Sequence, residues 1–329
     1  MTCDLNLSGE QRQIIDAAAA MLRTEYPVDR RRRWVADDLA AAAAFGMFGL
    51  GLPEGDGGAG FSLVEEALVH VLSGRHLVSS GSLATALGAR LARAAGHAEL
   101  ADRLVAGEAF VCAGVPAGDS VLLMERGEAA FALVFDNRDF ELREVGAALA
   151  SEESALGHGA SVERIPRVSK GVIARSAEPR MLAIADLLVS AQLLGVAEAV
   201  RDLAVAYAQV RQQFGQPIGG FQAIKHHCAN MAIGAEMLSC QLDMAAIALR
   251  DGREDGAFQV AALRRLAPHV ALANARLSIQ VHGGVGFSAE AAVHHYLKQA
   301  HLLSRLGSAA DILDLPAPLA PLVRVQERN

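Results

Sequence analysis

The sequence is poor in cysteine, in aromatic residues and in basic charge. Its four cysteines, Cys3, Cys112, Cys228 and Cys240, form no C-x-x-C pair, so neither a disulfide scaffold nor a cysteine-rich zinc site is predicted. Free thiols are typical of a reducing cytoplasm, where we expect this protein to be located. Acidic residues outnumber basic ones, 37 to 30, and the net charge of -7 gives no electrostatic reason to expect a nucleic-acid partner.

An uninterrupted apolar stretch of about 20 residues is also absent, so we expect no membrane span. The first residues do not follow the basic-then-apolar order of a secretion signal. What the chain does contain is abundant Ala and Leu, within a composition that is 52% hydrophobic and only 5% aromatic. This composition favours helix over strand and is sufficient to bury a sizeable core.

The spacing of apolar residues changes twice along the chain. Over 1–110 it follows a helical period, over 111–177 short apolar runs alternate with Gly, Asp and Asn, and over 178–329 the helical period returns. We therefore predict a mainly α fold with an N-terminal helical domain, a reduced β middle domain and a C-terminal four-helix bundle. The bundle helices are predicted at 181–212, 222–250, 256–282 and 289–309.

Individual signals locate further elements. Ser8 and Gln11 stand three residues apart, as in a capping box, directly before a helical pattern. One continuous helix is predicted over 83–106. Strands are predicted over the apolar runs 121–124, 131–135 and 140–142, with a last short strand over 172–174.

The most specific motif reads RQQFGQPIGGFQ and runs from Arg211 to Gln222. Arg211 is predicted to end a helix, and Gly215, Pro217 and the two following glycines force a sharp reversal of the chain. A guanidinium fixed at a tight turn is suited to bidentate contact with a phosphate. For an arginine outside such a motif, a surface ion pair would be the alternative.

Two further stretches are rich in glycine. The stretch 280–287 reads QVHGGVGF, and its glycines would allow the backbone to approach a flat or anionic ligand. The stretch 46–60 reads GMFGLGLPEGDGGAG and predicts a loop with positive φ angles or close backbone contacts. For this loop, a ligand contact and a purely structural turn both remain open.

In order and spacing, these three stretches resemble the R-x-x-F-G-x-P-I-x-x-F-Q, Q-x-x-G-G-x-G-[FY] and G-x-x-G-L-x-x-P-E-x-x-G-G-x-G segments of acyl-CoA dehydrogenases. The resemblance implies FAD as cofactor and an acyl-CoA as substrate, with a glutamate taking the α-proton and the flavin taking the β-hydride. It also implies that this chain contacts the FAD of a neighbouring subunit. In that contact, Arg211 meets the pyrophosphate of the FAD. The residues assigned to these contacts are Arg211, Phe214, Gln222, Gln280, Gly283 and Gly284.

The base that this reaction requires is not found where the family carries it. The resemblance places Leu306 at one family position and Ala185 at the other, and neither side chain can accept a proton. Asp186 is adjacent to the second position, but one residue corresponds to about 100° around a helix. The candidates within this chain are therefore Asp186 and Asp311.

The middle region also departs from the family. In place of T-E-P-x-x-G-S-D the chain has only GVPAGDS at 114–120, and the sheet predicted after it is too short to cover an isoalloxazine ring well. Some bacterial relatives, notably those of sterol side-chain degradation, are α2β2 heterotetramers in which one subunit holds the base and the other completes the FAD site. This chain resembles the second kind. A homo-oligomer with an unrecognised base, and a catalytically silent structural or regulatory subunit, are the alternatives.

Paired histidines do not predict a metal site. His226 and His227, and likewise His294 and His295, are adjacent in sequence, so their side chains point about 100° apart on a helix. No acidic residue completes an H-E-x-x-H pattern, and no G-x-G-x-x-G follows a predicted strand. Metal catalysis and a nicotinamide-binding fold are therefore not predicted.

Overall fold

A computed structural model describes residues 7–28, 39–127, 129–136, 138–146, 152–153, 161–167, 171–288 and 290–308. Helices come first, a sheet follows, and long helices complete this part of the chain, which confirms the predicted mainly α fold with a small β region. The N-terminal helices are α1 (Gly9–Glu25), α2 (Ala40–Ala44), α3 (Leu63–Arg75), α4 (Ser80–Ala94) and α5 (Ala98–Val105). The C-terminal helices are α6 (Pro179–Val210), α7 (Gln222–Arg250), α8 (Gly256–His282) and α9 (Val293–Leu303).

Local signals at the helix ends explain much of the N-terminal region. The Ser8 side chain accepts a hydrogen bond from the Gln11 backbone N–H, and the Gln11 side chain accepts one from the Ser8 backbone, so the predicted capping box is confirmed. The prediction of one helix over 83–106 is wrong. The chain forms α4 and α5 instead, because Gly96 adopts a positive φ of 84° and ends the first helix.

The middle region forms one mixed sheet in the strand order β5-β6-β2-β1-β3-β4-β7. Most neighbouring strands are antiparallel, but β1 and β3 run parallel at its centre. The stretch 114–120 lies in β1 and in the turn into β2, and α4 packs against β1. The strands are β1 (Val111–Ala117), β2 (Ser120–Met124), β3 (Phe131–Asp136), β4 (Asp139–Glu144), β5 (Glu152–Glu153), β6 (Val162–Pro166) and β7 (Val172–Ser176).

Helix α6 is the central element of the chain and packs against α3, α7, α8 and α9. Its contact with α3 is unusually close because two glycines face the crossing. A Cβ on Gly195 would lie 1.9 Å from the Val71 carbonyl oxygen, and a Cβ on Gly74 would lie 2.0 Å from the Gln192 carbonyl oxygen. The crossing therefore depends on the absence of both side chains.

Two of the long helices are apolar enough and long enough to cross a membrane when judged by length and composition. Helix α6 has a mean hydropathy of 1.6 over its most apolar window, and 89% of that window is buried inside the chain, as expected for a core helix. Helix α7 has a mean hydropathy of 1.3, but only 39% of its window is buried. Much of the apolar surface of α7 is thus not covered by the described part of the chain.

Candidate functional site

The arginine motif forms a tight hairpin between α6 and α7. Arg211 ends α6, and its carbonyl accepts a 2.8 Å hydrogen bond from the Ile218 N–H, which closes the loop. Two very short strands, β8 (Gln212–Gln213) and β9 (Gln216–Pro217), pair antiparallel within it. Both turn residues have positive φ, 51° for Phe214 and 77° for Gly215, as a two-residue hairpin turn requires. The backbone of Arg211 is thereby fixed at the base of the hairpin, and its side chain is exposed.

The hairpin lies beside the second glycine-rich turn. Tyr207, one helical turn before Arg211, stacks on His282 with ring centroids 4.3 Å apart, and His282 immediately precedes Gly283. The His282 Nδ1–H donates to the Ser278 carbonyl at 2.8 Å, which fixes the ring. A small apolar cluster beneath joins α6, α7, α8 and the hairpin; it consists of Ala204, Ala208, Ile218, Met231 and Val281, with five partly buried neighbours.

The six residues assigned to FAD contacts lie at this one end of the bundle, and all six are exposed. Phe214 shows 92% of its surface and meets Phe221 edge-on at 6.1 Å between ring centroids. Such exposure of an aromatic ring in a hydrogen-bonded hairpin turn is typical of a contact surface rather than of a core. The end therefore combines a fixed cation, an exposed aromatic ring and accessible backbone; its members are Arg211, Phe214, Gln222, Gln280, Gly283 and Gly284.

Gly283 and Gly284 contribute backbone rather than side chain to this end. Gly283 follows α8 with φ 61° and ψ -141°, a conformation that is essentially restricted to glycine. Within the described part of the chain, no atom beyond the adjoining residues lies within 4 Å of a Cβ placed on either glycine, so this part leaves the space above the turn open. By contrast, a Cβ on Gly286 would lie 2.8 Å from the Ile279 carbonyl oxygen, so that glycine is needed for packing.

We expect Gly283→Ala to lower the free energy of unfolding by about 1–3 kcal/mol, because alanine strains this backbone conformation although its methyl group has room. Gly284→Ala is the matched control, with open space and no positive φ. It should change the free energy of unfolding by less than about 0.5 kcal/mol. Urea denaturation of the chain measures the free energy of unfolding of both variants. Equal values would contradict the claim that residue 283 needs a backbone conformation that favours glycine.

The two positions at which the family carries its base come together in the structure. Ala185 lies on α6 and Leu306 follows α9, and the two segments are joined by hydrogen bonds from Ser308 to Asp186. Both apolar side chains are buried, with exposures of 1% and 0%. The place where a proton acceptor is expected is thus lined by apolar groups from both segments.

Asp186 is engaged in a closed polar cluster. Its Oδ1 accepts from the Ser308 N–H at 2.7 Å, its Oδ2 accepts from the Ser308 hydroxyl at 2.5 Å, and Arg264 Nε lies 3.6 Å from Oδ1. Arg264 also donates to the carbonyls of Ser304 and Leu306. Burial raises the pKa of Asp186, and the Ser308 hydrogen bonds and the Arg264 charge oppose that rise. These contacts favour an anchoring role, while Asp311 lies outside the described residues.

The glycine-rich loop 46–60 is closed by its own backbone. The N–H groups of Ala59, Gly60 and Phe61 donate to carbonyls of residues 49, 52 and 50. A Cβ on Gly58 would lie 2.2 Å from the Leu52 carbonyl oxygen. Arg90, paired with the buried Glu66, also donates to the Gly51 carbonyl at 3.2 Å. These contacts favour a purely structural turn over a ligand contact for this loop.

Among the residues that the structure describes, no group of three His, Cys, Asp or Glu side chains could hold a metal ion. Cys112, Cys228 and Cys240 are free thiols. Burial raises the pKa of Cys112 to about 12, so this thiol is not a nucleophile at neutral pH.

Comparison with known proteins gives matches over most of the chain. The sequence model of the acyl-CoA dehydrogenase N-terminal domain matches residues 8–109, and that of the C-terminal domain matches residues 179–312. The chain is 32% identical to acyl-CoA dehydrogenase IpdE2 of Mycobacterium tuberculosis, over 82% of this chain and 80% of that protein. It is also 32% identical to acyl-CoA dehydrogenase FadE34 of the same organism, over 80% of this chain but only 39% of that protein.

The fold has close counterparts among solved structures. The structure described as the Tcur3481-Tcur3483 steroid ACAD, in a variant form, superimposes with a TM-score of 0.77. The match covers 92% of this chain and 95% of that one, at 23% identity. At this level of identity the similarity establishes the fold alone.

Proposed function

The chain belongs to the acyl-CoA dehydrogenase family, and we propose that it acts in the FAD-dependent α,β-dehydrogenation of an acyl-CoA as the subunit that completes the FAD site of a heteromeric enzyme. The observation that carries this proposal is a contrast within the chain. The end of the bundle that would meet a neighbour's FAD is exposed and its hairpin is closed by backbone hydrogen bonds, whereas both base positions, Leu306 and Ala185, are buried and apolar.

The exposed end fits the diphosphate and adenosine part of FAD. Arg211 would contact the pyrophosphate with its guanidinium, and Gln222 at the start of α7 would add a polar contact. The open backbone at Gly283 and Gly284 would lie against the cofactor beside Gln280. Phe214 would pack in the contact between subunits. FAD, when bound, supplies the hydride acceptor, and these residues hold and orient it.

The proton acceptor would come from the partner subunit. Within this chain the Asp186 carboxylate is bonded to Ser308 through both oxygens and lies near Arg264, so it is poorly placed to receive a substrate proton. In this proposal one subunit contacts FAD and the other accepts the substrate proton. This explains why the chain keeps the residues for cofactor contact although it lacks the family glutamate.

Substrate class and location are part of the proposal. We propose a bulky acyl-CoA thioester, such as a steroid side chain, supported by the likeness to a structure described as a steroid ACAD. We also propose a cytoplasmic location, which agrees with the three free thiols.

The test is expression of the chain alone and together with a longer acyl-CoA dehydrogenase subunit as candidate partner, followed by flavin absorbance and native mass. We expect a colourless chain alone, and FAD together with dehydrogenase activity in the co-expressed complex. A yellow homo-oligomer with one FAD per chain would reject the heteromer in favour of a self-sufficient enzyme with an atypical base. A stable complex without flavin would indicate a silent structural or regulatory subunit.

A further inference from the structure

The last two long helices are basic, although the chain as a whole is acidic. Between residues 256 and 308 the sequence has five arginine and lysine residues and five histidines, but Glu290 is the one acidic residue there. The whole chain has a net charge of -7. Positive charge is therefore concentrated on α8 and α9, where it can create a local potential of opposite sign to that of the rest of the protein.

The cations on these helices form two stripes. Residues that are three, four or seven positions apart lie on the same side of a helix. One stripe follows α8 and consists of two exposed arginines and an exposed histidine, and the other follows α9 into the turn after it. We call the two stripes together the basic face; its residues are Arg265, His269 and Arg276 on the first stripe, and Lys298, His301 and Arg305 on the second.

The two stripes lie next to each other. Helices α8 and α9 pack together, and Arg264 of α8 donates to two backbone carbonyls of the segment 304–306, which fixes the backbone that carries Arg305. Partial burial lowers the pKa of His301, and the charges of Arg276 and Arg305 lower it further. Cations from both stripes are thus close enough to act on the same imidazole ring.

The arginines of the basic face are not balanced by carboxylates in the part of the chain that the structure describes. Arg265, Arg276 and Arg305 make no ion pair there. Other exposed arginines, such as Arg175 and Arg250, are paired with neighbouring carboxylates. Because like charges repel each other, an anionic partner on this face would relieve the repulsion.

We propose that the basic face is the docking site for an acidic helix of a different protein. Packed helices have axes about 8–10 Å apart, so the groove between them can seat a third helix. Arg265 and Arg276 stand about 16 Å apart along α8, which an acidic helix of about 11 residues spans. Carboxylates spaced by three and four residues on that helix would meet the arginines, whose planar guanidinium groups bind carboxylates bidentately.

The face fits a protein helix better than other anionic partners. Leu272 and Leu297 are partly exposed on α8 and α9 and add an apolar contact beside the charges, as in protein interfaces. Within the described residues 265–276 and 298–305, no large apolar side chain is exposed enough to insert into a membrane. A second copy of the same face does not fit, because a two-fold contact would place cation against cation.

The first test measures how a synthetic acidic peptide binds to the purified full-length chain, by fluorescence anisotropy. The peptide has about 18 residues, because shorter isolated helices are marginal in water. Its glutamates are spaced by three and four residues on one side of the helix. A scrambled peptide of the same composition, with glutamates on all sides, should bind at least about tenfold more weakly. Equal binding of the two peptides would indicate general charge attraction and would overturn the proposal.

Charge reversal locates the binding site. Arg276→Glu and Arg305→Glu, one from each stripe, should each weaken binding of the acidic peptide roughly tenfold, because an attraction becomes a repulsion. Arg12→Glu is the matched control. Arg12 is an exposed residue of α1 without an ion pair in the described part of the chain, so its reversal changes the net charge equally. It should change binding by less than about twofold.

A gain of binding keeps the test independent of any loss of folding. The double variant Arg276→Glu with Arg305→Glu should bind a lysine peptide of the same spacing, which the parent chain does not bind. Circular dichroism checks that the variants are folded. A folded double variant that binds neither peptide overturns the proposal.

Two other anions test whether the partner is a protein. Vesicles that contain phosphatidylglycerol, and a double-stranded DNA oligonucleotide, are added as competitors of the acidic peptide. We expect neither to displace the peptide when its charge concentration equals that of the peptide. Displacement by either one under this condition would overturn a protein partner in favour of a membrane or a nucleic acid.

The docking site does not rest on the proposed cofactor role, because no residue of the basic face belongs to the set assigned to FAD contacts. A chain that binds the acidic peptide but never acquires FAD with a partner would refute the proposed function and leave the docking site intact. A flavin-containing complex whose basic face ignores the acidic peptide would do the reverse.

Discussion

Replacing Arg211 by Ala in the assembled, flavin-containing enzyme is expected to weaken FAD retention roughly 10- to 150-fold. One charge-assisted contact with a phosphate is worth about 1.5–3 kcal/mol, which corresponds to a change of this size. Few other contacts could compensate, because the side chain is exposed while the backbone of Arg211 is fixed at the base of the hairpin by the hydrogen bond from the Ile218 N–H. Equilibrium dialysis of FAD, or flavin content after gel filtration, measures the effect without relying on turnover.

Two variants control for charge and for shape. Arg250→Ala removes an arginine from the opposite end of α7 and should leave FAD retention unchanged. Arg211→Lys keeps the charge but loses the planar two-pronged donor, so we expect an intermediate loss. If Arg211→Ala retained as much flavin as the parent enzyme, the cofactor assignment of the whole hairpin end would be rejected.

Gly195→Ala is expected to lower the free energy of unfolding by about 3 kcal/mol or more, through overpacking at the crossing of α3 and α6. Alanine normally stabilises a helix interior relative to glycine by about 1 kcal/mol, so the sign of the effect is reversed here. The reason is that the new methyl group would lie 1.9 Å from the Val71 carbonyl oxygen and 2.7 Å from the Arg75 backbone nitrogen. Both of these atoms belong to the backbone, so a change of side-chain rotamer cannot relieve the clash. One helix must therefore shift as a whole.

Urea denaturation of the purified chain measures this change, with Gly234→Ala as the matched control inside another long helix. A Cβ on Gly234 would lie 3.3 Å from a Val270 methyl group, which belongs to a side chain that can adjust. We expect this control to differ from the parent by less than about 1 kcal/mol. Equal stability of Gly195→Ala and the parent would show that the crossing is looser than the structure indicates.

The bounds of the long helices could be predicted well because they depend on local patterns. The predicted α7 and α8, 222–250 and 256–282, coincide with the observed elements, since periodic apolar spacing and clear end signals act within one segment. The break at Gly96 and the strands β1, β5 and β6 were missed. A single glycine within an apolar pattern can continue or end a helix, and short strands are specified by the partners they pair with.

The end of the bundle that carries the Arg211 hairpin shows the same contrast between local sequence patterns and tertiary contacts. The sequence motifs identified Arg211, Phe214, Gln222, Gln280, Gly283 and Gly284 as candidates, and the roles of these residues stay predictions. That they lie at one end of the bundle follows from the stacking of Tyr207 on His282, which joins segments about 75 positions apart in sequence. No local pattern contains that contact.

By itself the sequence determined the family, the order of helical and β regions and the absence of a glutamate at the two expected positions, because motifs and periodicity are local properties of the chain. Only the tertiary structure decided that these two positions meet, that Asp186 is bonded to Ser308 there, and that α7 leaves an apolar face uncovered. Each of these depends on how segments distant in sequence pack together, and packing is determined by the whole set of contacts rather than by any one segment.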